Sequence, residues 1–579
     1  MMMRHQLPIR GLLSLTLIAG LQMASSTLAA EVKNVIVLIP DGQSTSIQTL
    51  GRWFRGEPLA LDEMGAGTVA TWMVNSITTD SAPASTAMAT GYKSTDKHIS
   101  VGPIPKGALT TYQLPDGIPG ETDADKWNWF SYRPLATVLE GAKRQGKATG
   151  LVSTSRVSHA TPAGYAAHVD NRSLENDITE QLVYQKLDVV FGGGWDRLLP
   201  KTIGSRDDGE DLLAVLKARG YQWVENKDQL AALSRGKAWG LFAKGAMMPE
   251  IDRKFVCEQT LVCDEPTLAE MTAKAIELLA NDDDGFVLMV EGSQVDWAAH
   301  NNDPAYMLHD FLAFDDAVRV ALDFAKANPD TMILAAPDHN TGGLSLGNRS
   351  TDNTYVSVTV EQLLDPVRGM KTTSGYIEAQ LGEEPTTEDI KGAVKTYWNV
   401  TLSDDEVDAI IEEAKTVGYA YAIATIVSKG HTVFGWTTYG HTGEDVPFWS
   451  YGASAPVGHI DNTDFAWTVA GAFDLNLDLS APTGLNQALF VDVGATFSNT
   501  SSVGDAANPV LRIFRNAGQQ FDLPANKDYL VWRAGKSPEK YCKLDGVIVY
   551  APKADGGKGR WFAPQTAIDV IRTPGLCNR

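Results

Sequence analysis

The chain is 579 residues long, 44% apolar and 21% charged, with a formal charge of −22 at neutral pH. That length exceeds one simple domain, and a strongly acidic surface excludes nucleic-acid backbones and anionic lipids as natural partners. An enzyme for anionic substrates would need strong local positive charge, from arginine or from metal ions.

In chain order, residues 1–30 read as a secretory signal peptide. Arg4, His5 and Arg10 precede the apolar run "GLLSLTLIAGL", and "ASSTLAA" supplies small residues before Glu31. The run is too short for a membrane span and no later stretch reaches that length. An exported protein, periplasmic or extracellular, is therefore expected. Removing two arginines and no acids takes the charge from −22 to −24. The four cysteines then suggest disulfides, and near-neighbour pairing, Cys257 with Cys263 and Cys542 with Cys577, is the simplest of three connectivities.

From Asn34 onward, short apolar runs each end in a polar residue. "NVIVLIPDG" ends at Asp41, "ATGLVSTS" leads towards "VSHATPAG", "GFVLMVEG" ends at Glu291, and "TMILAAPDHN" ends at Asp338 and His339. Helical spacing lies between them, as in "YMLHDFLAFDDAVRVALDFAKANPD". The alternation predicts an α/β fold, a mainly parallel central sheet flanked by helices. In such sheets ligands bind beyond the carboxyl ends of the strands, where three strands here deliver a carboxylate.

The expected organisation is a catalytic core over 31–346 and 431–499, a mainly helical insertion over 347–430, and a small β-rich module over 500–579. Thr386 and Ser403 look like helix starts, and "DEVDAIIEEAKTVGYAYAIATIV" reads as helix. In the last module "DGVIVYAP" and "RWFAPQTAIDVIR" read as strands.

Several residues carry the chemistry. Asp296 and His300, four apart, share one helix face, a geometry suited to two ligands of one metal; alone, the pair is more simply a solvated face. Asp338-His339 is a second oxygen and nitrogen donor set, or a plain capped turn, and His441 sits in the Gly-rich "YGHTGEDVP". Together these donors suit zinc, whereas Glu291 with oxygen partners suits magnesium. Ser81, in "TTDSAPASTAMATG" after Asp80, would place a hydroxyl at a helix mouth, where amides favour anions.

The motifs "PDG", "TDSAPASTAMATG", "HATPAGYAAHVDNR", "VEGSQVDWAAH", "APDHNTGG" and "GHTGEDVP", in that order, resemble alkaline phosphatase. The resemblance implies hydrolysis of phosphate monoesters at two zinc ions and one magnesium, through a phosphoseryl intermediate on Ser81. By it, Asp296, His300 and His441 bind one zinc; Asp41, Asp338 and His339 bind the other. Asp41 also reaches the magnesium with Thr161 and Glu291, and Arg172 grips the phosphate as a planar fork. It further implies a homodimer acting on small phosphate esters.

Three positions depart from the best-studied bacterial branch. His159 replaces an aspartate near the magnesium, Trp297 replaces a lysine near the phosphate, and Pro40 replaces the glycine before the bridging aspartate. Ser81-Ala82-Pro83-Ala84-Ser85 also imitates the S-x-P-x-R signature of sulfatases, but Ser85 stands where that signature needs arginine. A phosphodiesterase of the same superfamily and a silent metal- or phosphate-binding protein are the alternative readings.

Overall fold

The computed structural model describes residues 31–515, 518–551 and 559–578. The signal-peptide reading lies outside these residues. Among the described residues, no helix is long and apolar enough to cross a membrane.

Ten strands form one sheet: β1 Asn34–Pro40, β2 Gly65–Ala70, β3 Ala148–Arg156, β4 Val189–Gly193, β5 Gln222–Val224, β6 Ala238–Leu241, β7 Phe286–Gly292, β8 Thr331–Ala335, β9 Val446–Tyr451 and β10 Gly458–Asp461. Their order is β10-β2-β9-β8-β1-β7-β3-β4-β6-β5, and only β9 runs antiparallel to its neighbours. The expected α/β class is the observed one.

The continuous apolar runs follow from burial on both faces. Ile36 and Leu38 of β1 enter one core, while Val35, Val37 and Ile39 enter the other. The central register places Ile39 beside Glu291 and Pro40 beside Gly292. Pro40 has no N–H to donate, yet Asp41 N–H donates to the Gly292 carbonyl at 3.2 Å, so the strand end survives and Asp41 emerges beside Glu291.

Helix α1, Ser81–Thr90, is buried throughout. Helix α2, Gln294–His300, follows β7 at once, and α3, Pro304–Ala327, packs along the sheet with its start capped by Asp303. Between Gly347 and His431 the chain is helical apart from its connections, and its apolar residues, such as Leu364, Val394 and Ile423, join the same core as α3. Thr386 and Ser403 both close capping boxes. The run read as a single helix divides into α4, Asp404–Val417, and α5, Tyr419–His431. Gly418 causes the break, with φ +88° and ψ 163°, a conformation outside the helix that glycine adopts without steric cost.

The C-terminal region is an antiparallel five-stranded meander over residues 500–543 with its own core around Leu511, Phe521 and Leu530. "RWFAPQTAIDVIR" is a strand only over Arg560–Ala563; Pro564 then begins a helix over Gln565–Arg572. Cys257–Cys263 and Cys542–Cys577 are the disulfides.

Candidate active site

The sheet's carboxyl edge collects the singled-out residues. Asp41 follows β1, Glu291 ends β7, Asp296 and His300 project from α2, and Asp338 with His339 follows β8. Gly42 permits the convergence: at φ +70°, its missing Cβ would lie 2.7 Å from the Asp296 Cα. Any side chain there would push the Asp41 loop off α2.

Ser81 is the first residue of α1. Its Oγ lies 3.2 Å from His339 Nε2, and the helix start has no side-chain cap, so the first amides, those of Ser81 and Ala82, have no side-chain acceptor. Asp80 does not cap because Arg172 takes its carboxylate: Nη1 donates to Asp80 Oδ2 at 2.6 Å and Nη2 lies 3.0 Å from His159 Nε2. A guanidinium is thereby fixed beside the serine. Ser85 is buried and donates to the carbonyls of Ala82 and Ala160, so it serves packing.

Three donor sets converge, each with ligand atoms within 4.8 Å of one another: Asp296, His339 and His441; Asp41, Asp338 and His339; Asp41, His159 and Glu291. His300 extends the first, its Nε2 3.3 Å from Asp296 Oδ2 and 3.2 Å from His441 Nε2. His339 lies between the first two sets, with its ring stacked 3.6 Å from that of His441. Thr161 Oγ1 donates to Asp41 Oδ2 at 3.4 Å, which brings it to the third. Trp297 meets His159 edge-on at 5.7 Å.

The electrostatics are those of acids crowded together. Burial, then the charges of Asp338, Asp296 and Glu291, raises Asp41 well above the carboxylate range. Burial pushes Glu291 up to about 7 against a hydrogen bond from Ser293. Burial also lowers His339 to about 4 and His159 to about 3. Around Asp296 burial is outweighed by the hydrogen bond and charges of the histidines, which hold the carboxyl low, and Asp296 in turn lifts His300 to about 9.

Asp41 Oδ1, Glu291 Oε1, Asp338 Oδ2 and His159 Nδ1 are buried without a hydrogen-bond partner. Such orphans are costly unless something else binds them. Buried acids with imidazoles and open lone pairs suit divalent cations, so the residues fit metal binding.

Sequence reasoning missed four supports. Thr341 Oγ1 donates to Asp296 Oδ1 at 2.5 Å and lies 3.3 Å from His339 Nδ1. Ser155 Oγ donates to Glu291 Oε2 at 3.4 Å. The Thr79 carbonyl meets His441 Nδ1 at 2.9 Å, and the Tyr439 carbonyl meets His300 Nδ1. Thr341 stands inside a recognised motif; the carbonyls leave no sequence signal.

A mainly parallel sheet that gathers a serine, an arginine and clustered metal donors at one edge defines a metal-binding hydrolase. A family model described as alkaline phosphatase matches residues 32–475. The chain is 34% identical to alkaline phosphatase 3 of Bacillus subtilis over 474 residues, covering 78% of this chain and 91% of that one. It is 30% identical to the repressible alkaline phosphatase of Saccharomyces cerevisiae, covering 77% and 82%. Alkaline phosphatase from Thermus thermophilus superposes with a TM-score of 0.65 at 28% identity, covering 77% and 92%. The chain belongs to the alkaline phosphatase family and is a phosphomonoester hydrolase.

Proposed function

We propose that this chain is an exported phosphomonoesterase that works through a phosphoseryl intermediate on Ser81, with two zinc ions and one magnesium. The observation that carries this is the position of Ser81 Oγ: first on a helix, 3.2 Å from His339 Nε2, with Arg172 fixed alongside by Asp80. Asp296, His300 and His441 would hold one zinc, Asp41, Asp338 and His339 the other, and Asp41, Thr161 and Glu291, with His159 near, the magnesium. When bound, these ions supply positive charge to the serine, to the leaving oxygen and to the attacking water.

The chain's own residues set the rest. Arg172 offers two parallel N–H donors to the phosphoryl oxygens, and the open amides of α1 point at the same charge. Ser81 Oγ attacks phosphorus, the P–O bond to the alcohol breaks, and the alcohol leaves with a proton. Water then attacks the phosphoserine, and Ser81 recovers its proton as phosphate departs. Arg172 and the amides recognise the phosphoryl group and not the alcohol, which favours many small esters. Trp297, packed on His159, contributes no charge where phosphate leaves.

We also infer that the helical segment 347–430 and the C-terminal region 500–579 are additions to a catalytic core of 31–346 and 431–499. For 500–579 the separate hydrophobic core supports this, as does a family match ending at 475; for 347–430 the support is its all-helical make-up, outside the sheet. Two disulfides agree with export.

The test compares rates on an aryl phosphate monoester, the matching diester and the aryl sulfate, with zinc and magnesium present and after chelation. A dominant monoester rate, lost on chelation and restored by zinc, is expected. A dominant diester or sulfate rate would overturn the substrate assignment.

A further inference from the structure

We propose that Tyr439 is a positioning residue that ties the first zinc site to the helical segment, an inference that rests on the metal-site reading above. The tyrosine is held at two ends by different parts of the molecule. Its main-chain carbonyl accepts from His300 Nδ1. That fixes the imidazole with its proton on Nδ1 and turns Nε2 towards Asp296 and His441, where a cation would sit.

The side chain of Tyr439 is anchored by the helical segment. Its hydroxyl lies 2.9 Å from Thr425 Oγ1 on α5 and donates to Glu413 Oε1 on α4 at 3.2 Å. The ring of Tyr421, also on α5, meets the Tyr439 ring edge-on at 5.5 Å. Two residues further along is His441, itself oriented through Nδ1 by the Thr79 carbonyl beside the nucleophile. One short loop therefore carries one imidazole, orients a second, and is clamped through Tyr439 to helices outside the sheet.

This arrangement assigns a task to helices that bring no metal donor of their own to the site. Outer partners of metal-binding histidines set ring orientation and basicity, and their loss weakens metal binding roughly tenfold or more. Tyr439→Phe keeps the carbonyl, the ring and the contact with Tyr421, and removes only the clamp. The loop retains other ties, among them Asn302 Nδ2 donating to the Thr438 carbonyl at 3.0 Å and Gly342 N–H donating to the Gly440 carbonyl at 2.9 Å. The expected effect is therefore at the low end, roughly tenfold at one site.

The experiment titrates zinc into the metal-free mature protein against a chromophoric chelator and resolves the dissociation constants. His300→Ala identifies which constant belongs to the first site. In Tyr439→Phe that constant should rise roughly tenfold, with the other unchanged and the melting temperature of the metal-free protein unaltered. Thr425→Val should act in the same direction, and the double variant should fall short of the sum. Wild-type affinity at both sites in Tyr439→Phe would overturn the proposal. So would an equal loss at both sites with a lowered metal-free melting temperature, the mark of a merely structural residue. A wild-type protein that takes up no zinc would sink the metal-site reading, and this inference with it.

Discussion

The carboxyl edge of the sheet and the C-terminal meander handle buried charge in opposite ways. At the edge, Asp41, Glu291, Asp296 and Asp338 crowd together with imidazoles, and three of their oxygens have no partner. In the meander each buried acid meets a cation. Asp522 accepts from Arg512 at 2.7 and 2.9 Å and from Arg533. Asp528 binds Lys186 at 2.5 Å and Arg219 at 2.7 Å. The meander's buried acids are matched by cations within the chain, whereas the edge leaves acid oxygens that a cation from outside would match. A binding site is legible as a deficit that the fold leaves open.

The comparison breaks most visibly at Ser81. Ser81→Ala should lower monoester turnover by at least about 10³-fold while leaving zinc stoichiometry intact, because the deficit resides in the acids and not in the hydroxyl. Near-normal turnover, measured under saturating zinc, would remove Ser81 from the chemistry. Arg172→Lys should come next, with kcat/KM down by roughly 10- to 100-fold, since an ammonium cannot replace the fork that Asp80 orients. An unchanged value would mean the guanidinium serves only its contacts with Asp80 and His159.

Metal removal sharpens the contrast by its location. At a free zinc concentration about a thousandfold above its dissociation constant, each bound ion stabilises the fold by roughly 4 kcal/mol. Chelation should therefore lower the melting temperature and raise hydrogen exchange around Asp41, α2 and the loop bearing His441, but not in the meander. Charge deletion should act with opposite sign in the two regions. Asp338→Asn is expected to stabilise the metal-free protein while weakening metal uptake. Asp522→Ala should destabilise by roughly 1 kcal/mol with kcat unchanged, because it leaves Arg512 without its carboxylate while the partly exposed Arg533 keeps Glu539. Calorimetry on metal-free samples checks both, and matching signs would dissolve the distinction.

The edge was more legible in sequence than the meander, for physical reasons. Strands buried on both faces write uninterrupted apolar runs, so Asp41, Glu291 and Asp338 stood out as polar residues ending them. The i,i+4 spacing of Asp296 and His300 fixed their common face once α2 was placed. Main-chain carbonyls, such as those of Thr79 and Tyr439, are common to every residue, so their roles arise only from tertiary approach. In the segment around Gly418 helical periodicity continues across the break, and one glycine at φ +88° divided it without disturbing the apolar spacing. At Pro564 the reverse held: alternation in "RWFA" ran into a helix whose first residue follows a proline, a start signal that the strand pattern masked.

The smallest expected effect concerns acid, and it separates the regions by sign. Burial raises Asp522, but the hydrogen bonds and charges of Arg512 and Arg533 outweigh it and hold the carboxyl below its ordinary 3.8. A carboxyl depressed on folding adds stability that is present above the unfolded value and is lost as the pH falls through the folded one. Asp522 therefore contributes its full share at neutral pH and loses it below about 4. Asp522→Asn should flatten the acid limb of the stability curve in that window and leave the curve parallel to wild type above pH 5. Because the arginines remain charged throughout, the change must follow the carboxyl alone. A variant whose curve parallels wild type down to pH 2 would show that Arg512 and Arg533 are solvated in place, and that the meander's charges are matched in position without being coupled in energy.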